Sequence, residues 1–125
     1  MILVDTSIWV DHLRFGDEQL AALLDQGRVL MHPMVLGEIA CGSLADRAAI
    51  LELLASLPTA IVAEHHEVMA FTERHTLFGK GIGWVDVHLL ASTALTDDAS
   101  LWTQDKRLNA AAQQLGVDCA DSGAD

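Results

Sequence analysis

Short apolar runs alternate along this chain with longer stretches in which apolar side chains recur every three or four residues, the two periods of buried strands and amphipathic helices. Residues 1–4 are apolar and run into Asp5-Thr6-Ser7, which predicts a buried strand, a helix N-cap and a helix starting with Ile8, Trp9 and Val10. A helix over 17–26 carries Leu20, Leu23 and Leu24 on one face, and Gly27 stands just past its end, where glycine is favoured. A second strand at 28–31 precedes Pro33, which suits the first turn of a helix reaching Cys41. Gly42 then separates it from a longer helix over 44–57, which Pro58 ends. A strand at 59–62, a helix over 64–75, the glycine-rich segment 78–83 and a helix over 85–95 come next. Strand 100–103, helix 105–115 and strand 117–120 complete the pattern, and the polar tail 121–125 is expected to fray. Five short apolar strands alternating with helices predict an α/β fold, an open and mostly parallel sheet covered on both faces. Sites in such sheets form at the carboxyl ends of the strands.

Against this pattern three acids are out of place. Asp5 is the only charge in residues 1–10, Glu38 the only formal charge in 32–45, and Asp86 the only one in 81–96. Helical spacing puts Glu38 on a stripe with Met34, Val35 and Cys41, and Asp86 on one with Leu89, Leu90 and Thr93, so both are expected to point inward. Asp105 joins them by position, since it comes after strand 100–103 as Asp5 comes after the first strand. Each acid alone reads as a cap or a first-turn acid favoured by the helix dipole. Four together, with no basic residue in the segments of the first three, demand compensation for their charge. A hard divalent cation with oxygen ligands, Mg²⁺ or Mn²⁺, is the usual answer.

Size and charge narrow the picture. At 125 residues with 51% hydrophobic residues, the chain is expected to form one domain over 1–120 with a single core. Its charge of −11, from 18 acidic against 7 basic residues, opposes any broad attraction to nucleic acid or anionic membrane. A nucleic-acid enzyme of this charge needs a bound cation, a local basic patch or a partner protein to offset the repulsion. No apolar run approaches a membrane span or a signal-peptide core, so the expected compartment is the cytoplasm. Cys41 and Cys119 form no metal-ligand pattern and are expected to be buried thiols.

The segments MILVDTSIWVDHL, VLGEI, GIGWVDVHLL and LWTQDKRL together resemble the PIN-domain ribonucleases, and among them the VapC toxins of bacterial toxin–antitoxin pairs. The resemblance covers nearly the whole chain and keeps the order and spacing of all four acids. It implies a three-layer α/β/α sandwich in which the acids coordinate Mg²⁺ or Mn²⁺ and RNA is cut to leave a 5′-phosphate and a 3′-hydroxyl. By the same resemblance Asp5 and Asp86 are the principal metal ligands, Glu38 completes the acidic pocket and Asp105 is the fourth acid. Thr6, Ser7 and Thr103 match hydroxyl positions that orient these carboxylates. It also implies a VapB-like antitoxin whose C-terminal segment wraps an apolar groove, for which 44–57 is the candidate wall. That wide apolar face reads equally as a homodimer surface or a core helix.

The remaining residues carry weaker signals. Arg14, Lys80, Lys106 and Arg107 flank the acids in sequence and are candidates to hold phosphates, or plain solubilising charge. Six histidines show no HxH or HExxH spacing and read as surface residues, with His88 off the face of Asp86. Trp9, Trp84 and Trp102 read as core or rim packing in preference to base stacking. Two other acidic-pocket chemistries fit less well. A phosphatase of the haloacid-dehalogenase type wants an Asp two residues after Asp5, where Ser7 stands, and a receiver-like signalling module wants an Asp that 48–60 does not contain.

Overall fold

A computed structural model describes residues 1–119, and the tail expected to fray, 121–125, lies outside the described residues. The elements in chain order are β1 (Ile2–Val4), α1 (Thr6–Phe15), α2 (Glu18–Asp25), β2 (Val29–Leu30) and α3 (Pro33–Ala40). They continue with α4 (Arg47–Ala55), α5 (His65–Arg74), α6 (Trp84–Leu95), β3 (Ser100–Trp102) and α7 (Lys106–Leu115). The sheet is parallel throughout, in the order β2-β1-β3. Successive side chains of β1 point to opposite faces, yet Ile2, Leu3 and Val4 are all buried, so helices cover the sheet on both sides.

Among the described residues the sheet has three strands, where the sequence pattern predicts five. Among the described residues the expected strands at 59–62 and 117–120 are each reduced to one bridge, Met31 with Thr59 and Leu101 with Asp118. Local chemistry explains the first. Pro58 has no amide to donate, and after Ala60 N–H bonds to the Met31 carbonyl the next donors leave the sheet: Ile61 N–H goes to Thr96 Oγ1 and Ala63 N–H to Ser92 Oγ, both on or at the end of α6.

The expected helix over 44–57 also starts late, at Arg47. Asp46 takes a left-handed conformation, φ 51°, which breaks the helical run. Arg47 meanwhile turns its guanidinium back to the carbonyls of Ala40 and Gly42, where it closes the C-terminus of α3. Trp9 and Trp102 are core residues, while Trp84 is 39% exposed. Cys119 is buried but Cys41, expected to be so, is exposed, because α3 buries Val35 and Ile39 and turns Cys41 outward. Among the described residues, no helix is long and apolar enough to cross a membrane.

Candidate active site

Parallel strands send all their carboxyl ends to one edge of the sheet, and the turns and helices beyond those ends carry the acids to it. The register sets Val4 beside Trp102, so Asp5 and Thr103 leave adjacent strands side by side. Thr103 donates its hydroxyl to Asp5 Oδ2 at 2.7 Å, and Thr6 donates its amide to Asp5 Oδ1 at 2.8 Å. Asp5 is thereby the N-cap of α1. Asp105 is likewise the N-cap of α7, its Oδ1 accepting from the amides of Arg107 and Leu108 at 2.9 and 3.0 Å. Asp86 lies in the first turn of α6, where Oδ2 accepts from Gly83 N–H at 3.1 Å. The capping roles and the clustering hold at once. The positive ends of α1, α6 and α7 meet at a group of carboxylates, which softens their repulsion.

Glu38 arrives from the middle of α3. It does not point inward as its stripe suggests: it is exposed, and Thr6 donates its hydroxyl to Glu38 Oε1 at 2.6 Å. Thr6 thus touches two acids, by amide and by hydroxyl. Asp5, Thr6, Ser7, Glu38, Asp86, Gln104 and Asp105 line one open pocket of about 530 Å³. Gln104 carries no signal in the sequence. It sits between Thr103 and Asp105, and its amide donates to Asp11 Oδ2 at 3.2 Å.

The electrostatics are those of a strained anionic site. Burial raises the Asp5 carboxyl above its ordinary value; the Thr103 and Thr6 hydrogen bonds work the other way, while the charges of Glu38 and Asp105 raise it further. Asp86 is also raised, first by burial, with Asp5, Asp105 and Glu38 adding and the Gly83 amide opposing. Among the described residues, none of the four carboxylates forms an ion pair. No three His, Cys, Asp or Glu side chains there are arranged as a ready set of ligands for one ion. The donor set nevertheless suits Mg²⁺ or Mn²⁺, since Mg²⁺ takes one or two carboxylates and keeps water for the rest of its shell.

None of the four basic candidates lines this pocket. Arg14 lies over the Phe15 ring and lines a neighbouring groove, Lys80 donates to Gln114 Oε1 at 3.1 Å, and Lys106 opens α7 as an exposed residue. Arg107 packs on Gly81, where an added Cβ would come 2.5 Å from its Nη1. Lys80 and Arg107 thus join the glycine-rich loop before Asp86 to α7. Gly81 has φ +75°, a conformation that costs other residues about 1–3 kcal/mol. Gly81→Ala is therefore expected to lower stability by about 1–2 kcal/mol, read as an earlier urea midpoint, and an unchanged midpoint would show that the loop relaxes freely.

Two histidines expected at the surface are buried. His32 is fully enclosed at the start of α3, and His88, next to Trp84, is 5% exposed, with no partner for Nδ1 among the described residues. A histidine before Pro33 reads as loop in the sequence, and its partner Ser92 stands 60 residues away.

The chain's similarities agree with this layout. The PIN domain family matches residues 2–114. Ribonuclease VapC32, in each of two Mycobacterium tuberculosis strains, is 47% identical over 121 residues, which cover 97% of this chain and 98% of the relative. A match of that extent, over a parallel sheet whose carboxyl edge gathers Asp5, Glu38, Asp86 and Asp105, means that the chain belongs to the PIN-domain family, among its VapC members.

Proposed function

We propose that the chain is an endoribonuclease, the toxin of a toxin–antitoxin pair, and that it hydrolyses RNA with Mg²⁺ or Mn²⁺ held at Asp5 and Asp86. The observation that carries this reading is the set of four carboxylates on one open pocket, without cationic partners among the described residues, in a chain so close to a ribonuclease. A cation held there supplies positive charge to the scissile phosphate and makes water more acidic. The chain's own residues do the rest. Thr103 and the Thr6 amide fix the Asp5 carboxylate, and the Thr6 hydroxyl fixes Glu38. Glu38, exposed to solvent, orients the attacking water and takes its proton. Water attacks phosphorus, the bond to the 3′-oxygen breaks, that oxygen takes a proton from solvent, and the products are a 5′-phosphate and a 3′-hydroxyl.

With a formal charge of −11 the chain attracts RNA weakly on its own, and Arg14, Lys80, Lys106 and Arg107 are the cations near enough in sequence to help. The same charge favours a basic partner. A groove of about 680 Å³ between α1, α3 and α4, walled by Val10, Leu13, Ile39, Leu44 and Ile50, shares Glu38 with the acidic pocket. A VapB-like antitoxin segment laid there brings an arginine to the acids, whose carboxylates a guanidinium engages through its planar fork.

The test is cleavage of labelled RNA by the purified chain with Mn²⁺ and with chelator, beside labelling by acetyl phosphate. Metal-dependent cleavage without phosphoryl transfer to the protein is expected, and chelator-resistant cleavage or stable phosphorylation would overturn the reading. Metal binding is read separately by melting. Mn²⁺ at 100 times its Kd stabilises a native state that alone binds it by about 2.7 kcal/mol, and the shift is expected to shrink in Asp86→Asn. Equal shifts in both proteins would place the ion elsewhere.

A further inference from the structure

The acids of the pocket reach it from separate elements, so their spacing depends on how those elements are fastened together. Glu38 rides on α3 and Asp86 on α6. Between the two helices lies one fully buried polar pair: His32 Nε2 stands 3.0 Å from Ser92 Oγ, and neither residue is exposed. The other ring nitrogen decides the tautomer. His32 Nδ1 accepts the Met34 amide at 3.1 Å, capping α3, so the ring proton sits on Nε2 and is donated to Ser92. Ser92 Oγ also receives Ala63 N–H at 3.3 Å. Without Ser92 the His32 Nε2–H would be buried with no acceptor, while Ser92 Oγ would keep only the longer bond from Ala63, which makes the contact costly to open.

The pair is well placed to act on the site. His32 precedes Glu38 by six residues, and Ser92 comes six after Asp86, which is about 9 Å along each helix at 1.5 Å per residue. An α-helix is a stiff scaffold, so tying the two at this point limits how far the carboxylates they carry can drift apart.

We infer that His32 is a positioning residue, one that holds the Glu38 helix at a fixed distance from the Asp86 helix through its Nε2–H bond to Ser92. The inference rests on the nuclease reading and adds to it a residue that touches neither metal nor RNA. It assigns the two ring nitrogens separate duties: Nδ1 caps the helix, and Nε2 sets the site.

Two substitutions separate those duties. His32→Asn places an amide oxygen where Nδ1 was, keeping the cap, but it falls short of Ser92. His32→Gln places an amide N–H where Nε2 was and gives up the cap. Kinetics on RNA and the melting shift produced by Mn²⁺ are measured for both, for Ser92→Ala and for the wild type. The expected results are a kcat about tenfold lower, an unchanged KM and a smaller Mn²⁺ shift in His32→Asn and Ser92→Ala, both of which melt earlier than wild type because the buried contact is broken. His32→Gln is expected to melt earlier yet keep kcat within about threefold and keep the Mn²⁺ shift. The reverse order, with Asn restoring activity and Gln not, would reduce His32 to a helix cap and overturn the inference while leaving the nuclease reading intact. A wild type that neither cleaves RNA nor responds to Mn²⁺ would overturn both.

Discussion

Asp86→Asn is expected to lower RNA cleavage by more than about 100-fold, beyond the 10–100-fold typical of residues that only support a metal ligand, while the variant stays folded and at least as stable as the parent. Both halves rest on the same carboxylate. Its pKa is raised by burial first and then by the charges of Asp5, Asp105 and Glu38, so the ionised form is held in the folded state at a cost. Asparagine keeps an oxygen for the Gly83 amide and carries no charge, which relieves the repulsion while it removes a ligand. Cleavage assays read the first half and urea melts the second. Wild-type cleavage by a folded Asp86→Asn protein would move the chemistry out of this pocket. Asp5→Asn is a less clean version of the same test. Thr103 Oγ1 donates to Asp5 and already accepts from the Asp105 amide, so a new amide N–H facing that hydroxyl has to rearrange it.

The acids are legible in the sequence because charge is conspicuous in apolar surroundings, and because two of them end strands. Their orientation is less so. On a helix of eight residues a stripe drawn through Met34, Val35 and Cys41 competes with one through Val35 and Ile39, and packing chooses the second, leaving Glu38 at the rim, where the Thr6 hydroxyl reaches it. The helices are legible nearly to their ends, since caps such as Asp17 and terminators such as Gly27 act locally. The edge strands are not, since a strand's length depends on where its amide donors find partners, and Ile61 and Ala63 find theirs on α6. Gln104 and His32 escape for the same reason: neither residue type is unusual where it stands, and each takes its meaning from a partner far along the chain, Asp11 and Ser92.

Acidification is expected to cost the protein about 3 kcal/mol between pH 6.5 and pH 4 through His32 alone. Burial is the main reason its pKa falls from 6.5 to about 4, with His88 adding. In that window the unfolded chain takes up a proton at this position that the folded chain refuses, so stability falls as pH falls. The refused proton would have to go to Nδ1, which accepts the Met34 amide, and the α3 cap would be lost with it. His88, lowered by burial and by His65, pushes in the same direction. Asp5 and Asp86 push the other way, because a carboxyl whose folded pKa is raised binds its proton more readily in the folded state. Urea midpoints at pH 7, 5.5 and 4.5 therefore decide the balance when wild type is compared with His32→Asn. The variant keeps the cap and has no ring to titrate, so its midpoint should fall less steeply; parallel curves would mean that the buried ring accepts its proton without disturbing α3.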